Sequence, residues 1–311
     1  MVGSLRKGLS MVSWQARAQI AWMRLQRKNR FYADPQVMRE RLGRHQDPRR
    51  AQPPRSVAAA LTVDRTVVDG HDCFTLSPTH GPRTTLHIFH LHGGGFVEQP
   101  DTQHWSFARR MVELLGCRYT LPMYPLCPAA DHRTIVPMVG DAYAHTMAGT
   151  DPGHRVVIGD SAGGALALDL AIDLRERRLP QPAAIALFSP WLNLPTDAPE
   201  SLRIAPSDPE LGIDGLRQAA RWYAADTDFH DVAVRPVDAD LSGLAPLIVF
   251  IGTRDILLPD ARLLQARARQ HRTPLDLHIY DGMFHNWIQH ELPESHTATD
   301  TLVDFITSRV F

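Results

Sequence analysis

Gly159-Asp160-Ser161-Ala162-Gly163-Gly164 follows the apolar run Val156-Val157-Ile158 and precedes a helical stretch, Ala165 to Leu174. A serine placed there sits on a tight turn between a buried strand and a helix. The Gly-x-Ser-x-Gly pattern suits such a turn because the turn is strained and crowded. Glycines at 159 and 163 carry no Cβ to clash and tolerate unusual backbone angles. The turn lifts the Ser161 hydroxyl off the sheet, and the helix behind it aims free N–H groups at the same spot. That arrangement suits a nucleophile that bears a passing negative charge. Gly/Ser pairs also punctuate ordinary loops, so the reading depends on partners elsewhere in the chain.

Outward from this turn, strands and helices alternate. Leu86 to Leu91 reads as a buried strand ending in His92-Gly93-Gly94-Gly95, followed by a helix over Trp105 to Leu115. Strands are predicted at Tyr119–Tyr124, Arg155–Ile158, Ala183–Phe188, Pro246–Ile251 and Leu275–Tyr280. Helices are predicted at Thr134–Met147, Ala162–Arg178, Pro259–Gln270 and Thr297–Val310. Upstream, Thr62–Val68 and Cys73–Leu76 form a hairpin around Asp69-Gly70. This pitch argues for an α/β fold, one mostly parallel sheet with helices on both faces. Helices over 11–30 and 35–44 and a proline connector precede it. The rhythm breaks at 192–242, where one helix, Leu216 to Ala225, lies among scattered prolines and acids. Residues 1–55 are therefore read as N-terminal cap helices. Residues 56–311 are read as the catalytic domain, with a cap insertion at about 192–242.

In such sheets chemistry gathers at the carboxyl ends of the strands. Those ends carry His92-Gly93-Gly94-Gly95, Ser161, Asp255 and His285. Ser, Asp, His is the chain order of an α/β-hydrolase triad. A serine hydroxyl needs an adjacent base, and His285 lies on the turn-rich loop Asp281 to Trp287. Asp255 would orient its imidazole. Asp260 competes for the acid role, but it follows Pro259 at a helix start, where a carboxylate is favoured structurally. A run of three glycines lets the backbone approach the substrate closely and offer N–H groups to an oxyanion, and Ala162 supplies another. His87, His90 and His92 lie close together, but zinc needs further ligands, and His92 is read as bracing the glycine loop.

Composition narrows the class. The chain has 311 residues, 44% of them hydrophobic, and a formal net charge of −1. Nothing there calls for a nucleic-acid partner. Cys73, Cys117 and Cys127 fit neither a disulfide framework nor a zinc site, so a reducing, cytoplasmic setting is expected. No run approaches a membrane span. Arg6, Lys7, Arg17, Arg24, Arg27, Lys28 and Arg30 precede the first acid, Asp34, with Trp14, Ile20, Trp22, Met23 and Leu25 between them. Such a helix can make weak contact with a membrane surface or resemble a transit peptide. The preferred reading packs its aromatic face over the body and leaves the arginines in water.

His92-Gly93-Gly94-Gly95-Phe96, Gly159 to Gly164, Ser189-Pro190-Trp191-Leu192, Gly252-Thr253-Arg254-Asp255 and Gly282-Met283-Phe284-His285 resemble the hormone-sensitive-lipase-like (type IV) esterases of the α/β-hydrolase superfamily. The resemblance runs from about residue 61 to the C-terminus. It implies an eight-stranded sheet with a helical cap, and a serine carboxylic-ester hydrolase. It implies Ser161 as nucleophile, Asp255 as acid and His285 as base. It also implies an oxyanion hole at Gly93, Gly94 and Ala162, with His92, Gly95 and Asp160 supporting these groups. Members of the family often pair through the last strand and helix, so a homodimer is implied too. One departure stands out. Tyr124-Pro125-Leu126-Cys127-Pro128-Ala129 lacks the arginine and glutamate that the family carries after its fourth strand, and Asp131 is the nearest acid to replace them.

The function expected is hydrolysis of short or medium acyl esters of small molecules through an acyl-enzyme, a chemistry that calls for no metal or organic cofactor. Lactone or acetyl-ester hydrolysis is the alternative. A receptor of the same fold would have lost the base. Trp14, Trp22, Trp222 and Tyr223 are expected to set the depth of the pocket over Ser161.

Overall fold

A computed structural model describes residues 12–311. Arg6 and Lys7, at the start of the basic segment, lie outside the described residues. The helices are α1 (Trp14–Leu25), α2 (Arg30–Ala33), α3 (Pro35–His45), α4 (Arg55–Ala58), α5 (Thr102–Leu115), α6 (His132–Met147), α7 (Ala162–Glu176), α8 (Pro199–Ile204), α9 (Ile213–Ala224), α10 (Leu258–Gln270) and α11 (Pro293–Val310). The strands are β1 (Leu61–Val68), β2 (His71–Pro78), β3 (His87–Leu91), β4 (Arg118–Pro122), β5 (Arg155–Asp160), β6 (Ala184–Phe188), β7 (Leu247–Gly252) and β8 (Leu275–Tyr280). They form one eight-stranded sheet in the order β1-β2-β4-β3-β5-β6-β7-β8. The pairs β1–β2 and β2–β4 are antiparallel, and the rest are parallel.

The hairpin closes with Val68 opposite His71. Asp69 and Gly70 both take positive φ, 49° and 80°, which lets the turn follow the twist of the strands. Strands β3, β5, β6 and β7 hold the middle of the sheet, and nearly all their residues are buried. Alternate side chains feed two cores. Phe89, Val157, Leu187 and Val249 join Ile135 of α6, Leu166 of α7 and Leu264 of α10 on one face. Ile88, Val156, Phe188 and Phe250 join Trp105 of α5 and Leu302 of α11 on the other. This two-sided cover makes the parallel strands read as unbroken apolar runs.

The N-terminal helix differs from expectation. Ala16, Ile20 and Met23 are its buried stripe, whereas Trp14, Trp22 and Leu25 are 75%, 54% and 75% exposed. The inward positions follow the i, i+4, i+7 spacing, and both tryptophans fall on the outward face. The helix stops at Leu25, and Arg27 takes φ 51°, so the segment predicted as one helix turns at its basic end. The 192–242 insertion carries a second helix, α8, besides the expected α9. α2 packs on α9 so closely that a Cβ on Gly215 would lie 2.4 Å from the Tyr32 carbonyl oxygen. Arg24 donates to the Ser207 carbonyl at 3.1 Å, and Arg39 hydrogen-bonds Gln218 at the same junction. Among the described residues no helix is long and apolar enough to cross a membrane.

Candidate active site

Ser161 lies between β5 and α7 with φ 51° and ψ −120°. This is a costly backbone region for a side chain, worth about 1–3 kcal/mol. Neighbouring strands hold it there. Its N–H donates to the Phe188 carbonyl at 2.9 Å, and its carbonyl accepts from Gly164 and Trp191, each at 2.9 Å. The flanking glycines are a steric requirement. A Cβ on Gly159 would sit 2.3 Å from the Gly163 oxygen, and one on Gly163 would sit 1.9 Å from the Leu91 oxygen.

Asp255 follows β7 and is fully buried. One carboxylate oxygen accepts the Leu257 N–H at 2.9 Å, and the other faces His285 Nδ1 at 2.9 Å. The Nδ1 proton is thereby committed to Asp255, which leaves Nε2 to accept a proton. Burial lowers the His285 pKa, but the charge and hydrogen bond of Asp255 override it, with Glu210 and Asp208 adding to the effect. The result is a rise to about 9. The next residue fixes the loop: the Asn286 N–H donates to Ser189 Oγ at 3.1 Å. Ser161 and His285 line the same cavity, which opens in part to solvent.

The glycine loop closes another side. Gly94 lines the cavity, and Gly93 approaches the nucleophile turn so closely that a Cβ would meet the Asp160 carboxylate at 2.3 Å. Gly95 abuts the Tyr32 ring. α7 starts at Ala162, whose N–H has no acceptor within its own helix. His92 stacks on Tyr124 at 4.2 Å and donates Nδ1–H to the Gly93 carbonyl at 2.8 Å. The Tyr124 hydroxyl donates to the His92 carbonyl at 2.6 Å. Burial pulls the His92 pKa down to about 3, so the ring is a neutral brace. His87 and His90 are likewise occupied, His87 with Thr120 and Thr150, His90 with Asp160 and Tyr119.

Asp160 ties these parts together. It accepts from His90 Nε2 at 2.8 Å, His104 Nε2 at 3.2 Å and Asn286 Nδ2 at 2.7 Å. Burial alone would raise its pKa, but the charge and hydrogen bond of His104, with His90, hold it well below the usual carboxylate range. Burial opposes the charge on His104, yet Asp160 and Asp101 raise its pKa to about 10. Asp260 is a structural group, accepting the Leu192 and Asn193 N–H bonds at 2.8 and 2.9 Å. Asp131 caps α6 and pairs with Arg133, so it does not replace the missing arginine and glutamate. Gln46 braces that region instead, donating to the Val97 and Cys127 carbonyls at 3.0 and 2.6 Å.

The cavity wall is where sequence reasoning missed most. Trp14 and Trp22 point outward, and Tyr223 stacks on Phe96 at 3.8 Å inside the core. The wall instead mixes charged and amide side chains with the carbon of Tyr32 and Leu211. Lys28 pairs with Glu210 at 2.6 Å, joining the N-terminal segment to the insertion. Glu98, bonded to Tyr32 and His45, and His104 also contribute. Buried Asp208 accepts the Glu210 and Leu211 N–H bonds at 2.9 Å and the Ile256 N–H at 3.0 Å. It thereby fixes the insertion to the loop that carries Asp255. The one signal in the sequence was Asp101 three residues before His104, an aspartate at the N-cap of α5.

A family model described as alpha/beta hydrolase fold matches residues 88–289. The chain is 31% identical over 227 residues to an esterase of Acinetobacter venetianus, a match covering 71% of this chain and 74% of that protein. It is 29% identical over 222 residues to an acetyl-hydrolase of Streptomyces hygroscopicus, covering 70% and 74%. The crystal structure of an esterase from the bacterial hormone-sensitive lipase family matches with a TM-score of 0.82 at 27% identity. That match covers 97% of this chain and 100% of the other.

Proposed function

We propose, on the premise that this chain belongs to the α/β-hydrolase family and to its hormone-sensitive-lipase-like branch, that it hydrolyses carboxylic esters through Ser161, His285 and Asp255. The chain is an esterase-type hydrolase acting on small ester substrates. The observation that carries the finer reading is the buried His285–Asp255 pair at 2.9 Å, opening on the cavity that Ser161 also lines.

The mechanism follows from that pair. His285 Nε2 takes the Ser161 proton as the hydroxyl oxygen attacks the ester carbonyl carbon. Asp255 holds the ring and stabilises the imidazolium. The carbonyl oxygen becomes an oxyanion facing the N–H groups of Gly93, Gly94 and Ala162, where one lost donor costs about 3 kcal/mol of transition-state stabilisation. The alcohol leaves with the proton from His285. Water, activated by the same ring, then releases the acid from the acyl-enzyme. Residues 1–55 and 192–242 act in this scheme as the cap over a catalytic domain of residues 56–311, which their meeting at Lys28 and Glu210 supports.

A panel of p-nitrophenyl esters of graded chain length tests the proposal. Ser161→Ala is expected to reduce kcat by a factor on the order of 10⁶, the loss that removing the serine produces in a triad hydrolase. Hydrolysis by that variant at the parental rate would refute the mechanism.

A further inference from the structure

We propose that the substrate of this site is a hydroxyl-rich ester, a short acyl group on a polyol, rather than an aliphatic acyl ester. The inference rests on the esterase reading above and names its substrate class. Leu211 is the one aliphatic side chain among the described residues lining the cavity. A hydrocarbon chain entering there would meet amides and charges as well as carbon, so its methylenes would gain less than in an aliphatic pocket.

The polar atoms of the wall are also unspent. Gln99 Oε1, Glu210 Oε2, Asn286 Oδ1 and Gln289 Nε2 are buried and have no hydrogen-bond partner within the protein. All four residues line the cavity beside Ser161. Buried polar atoms are normally satisfied, so several orphans on one wall point to a ligand that satisfies them. Asn286 cannot reverse its amide, because its nitrogen already donates to Asp160 at 2.7 Å. Glu210 offers only acceptors, while Lys28 beside it offers donors. The wall thus offers both acceptors and donors. A hydroxyl both donates and accepts, so a set of hydroxyls matches these polar atoms better than a carboxylate, which only accepts, or an alkyl chain, which does neither.

The reaction is the ordinary hydrolysis. The bond between the carbonyl carbon and the polyol oxygen breaks, the polyol leaves with the proton held by His285, and water supplies hydroxide to the acyl group.

The test compares kcat/KM of the full chain for glycerol 1-acetate, 6-O-acetylglucose, ethyl butyrate, ethyl octanoate and ethyl gluconate. The first two carry hydroxyls on the alcohol and the last carries them on the acyl side. The polyol acetates are expected to exceed both alkyl esters at least tenfold. In Gln289→Leu and Gln99→Leu the ratio of 6-O-acetylglucose to p-nitrophenyl acetate turnover is expected to fall at least tenfold, mainly through KM. A best rate on ethyl gluconate would keep the hydroxyl-rich wall and overturn its assignment to the alcohol side. Alkyl esters turned over as well as the polyol acetates, or a ratio unmoved in both variants, would overturn the inference. The esterase reading fails separately, through p-nitrophenyl acetate hydrolysis that survives Ser161→Ala.

Discussion

His285 must satisfy two demands that pull in opposite directions. To take the Ser161 proton the ring must be neutral, yet Asp255 stabilises the charged form and raises the pKa to about 9. Activity is therefore expected to be low at pH 6 and to climb as the ring loses its proton, with a kcat/KM midpoint above the ordinary histidine value of about 6.5. Asp255→Asn removes both the charge and the accepting oxygen at Nδ1. The midpoint is expected to drop, and the rate to fall by on the order of 10⁴, the loss seen when a triad aspartate becomes asparagine. Profiles of kcat/KM from pH 5 to 10 for both proteins decide this; a parental midpoint at or below 6.5 would contradict it. Ser161 was legible in the sequence because its turn admits so few residue types. The glycines at 159 and 163 record contacts that any Cβ would break. Glu210 and Lys28 left no comparable trace. Their place in the wall arises where two distant segments meet, and nothing in the neighbourhood of either residue encodes that meeting.

Among the elements, α1 shows the limit of periodicity. The helical stripe was readable, but not which side of it the body would take. Ala16, Ile20 and Met23 turn inward, and Trp14, Trp22 and Leu25 face water beside exposed Arg17 and Arg24. An exposed aromatic face flanked by arginines suits an anionic bilayer surface. The chain is expected to bind phosphatidylserine vesicles weakly, with a blue shift of tryptophan fluorescence that salt abolishes. Trp14→Ala with Trp22→Ala should remove the binding; unchanged sedimentation with vesicles would refute it. The strands were legible for a plainer reason. β3, β5, β6 and β7 are covered on both faces, so their burial is written as continuous apolar runs. α8 escaped because its six residues begin at a proline within an acidic, proline-broken stretch, too short for a 3.6-residue period to register.

At the scale of the whole molecule, the buried ionisable groups predict an asymmetric dependence of stability on pH. Stability rises with pH wherever the unfolded chain binds more protons than the folded one, and falls where it binds fewer. Burial lowers His87 and His92 to about 3, so between that value and about 6.5 the unfolded chain holds the extra protons. Burial raises Asp208, beside the Asp255 charge, and Asp260 to about 7, so across much of the same window the folded chain holds extra protons. These groups oppose one another, but burial also lowers His90, His132 and His290 and raises only one further carboxyl, Asp169, so stability is expected to decline gently toward acid. Above about 6.5 nothing balances. His104 and His285, raised to about 10 and about 9, keep their protons in the fold and lose them in the unfolded chain. The stability each contributes is complete below about 6.5 and disappears as pH rises through its folded pKa, at about 1.4 kcal/mol per pH unit. Buried Cys73, Cys117 and Cys127, pushed up to about 12, add to the same slope beyond pH 9. Thermal denaturation from pH 4 to 10 should show a Tm that peaks near pH 6.5 and then falls by several degrees by pH 9. A Tm that holds or rises across that alkaline interval would mean that the Asp160–His104 and Asp255–His285 pairs do not retain their protons in the fold. The alkaline activity limb expected of His285 would then fail with them, because it rests on the same raised pKa.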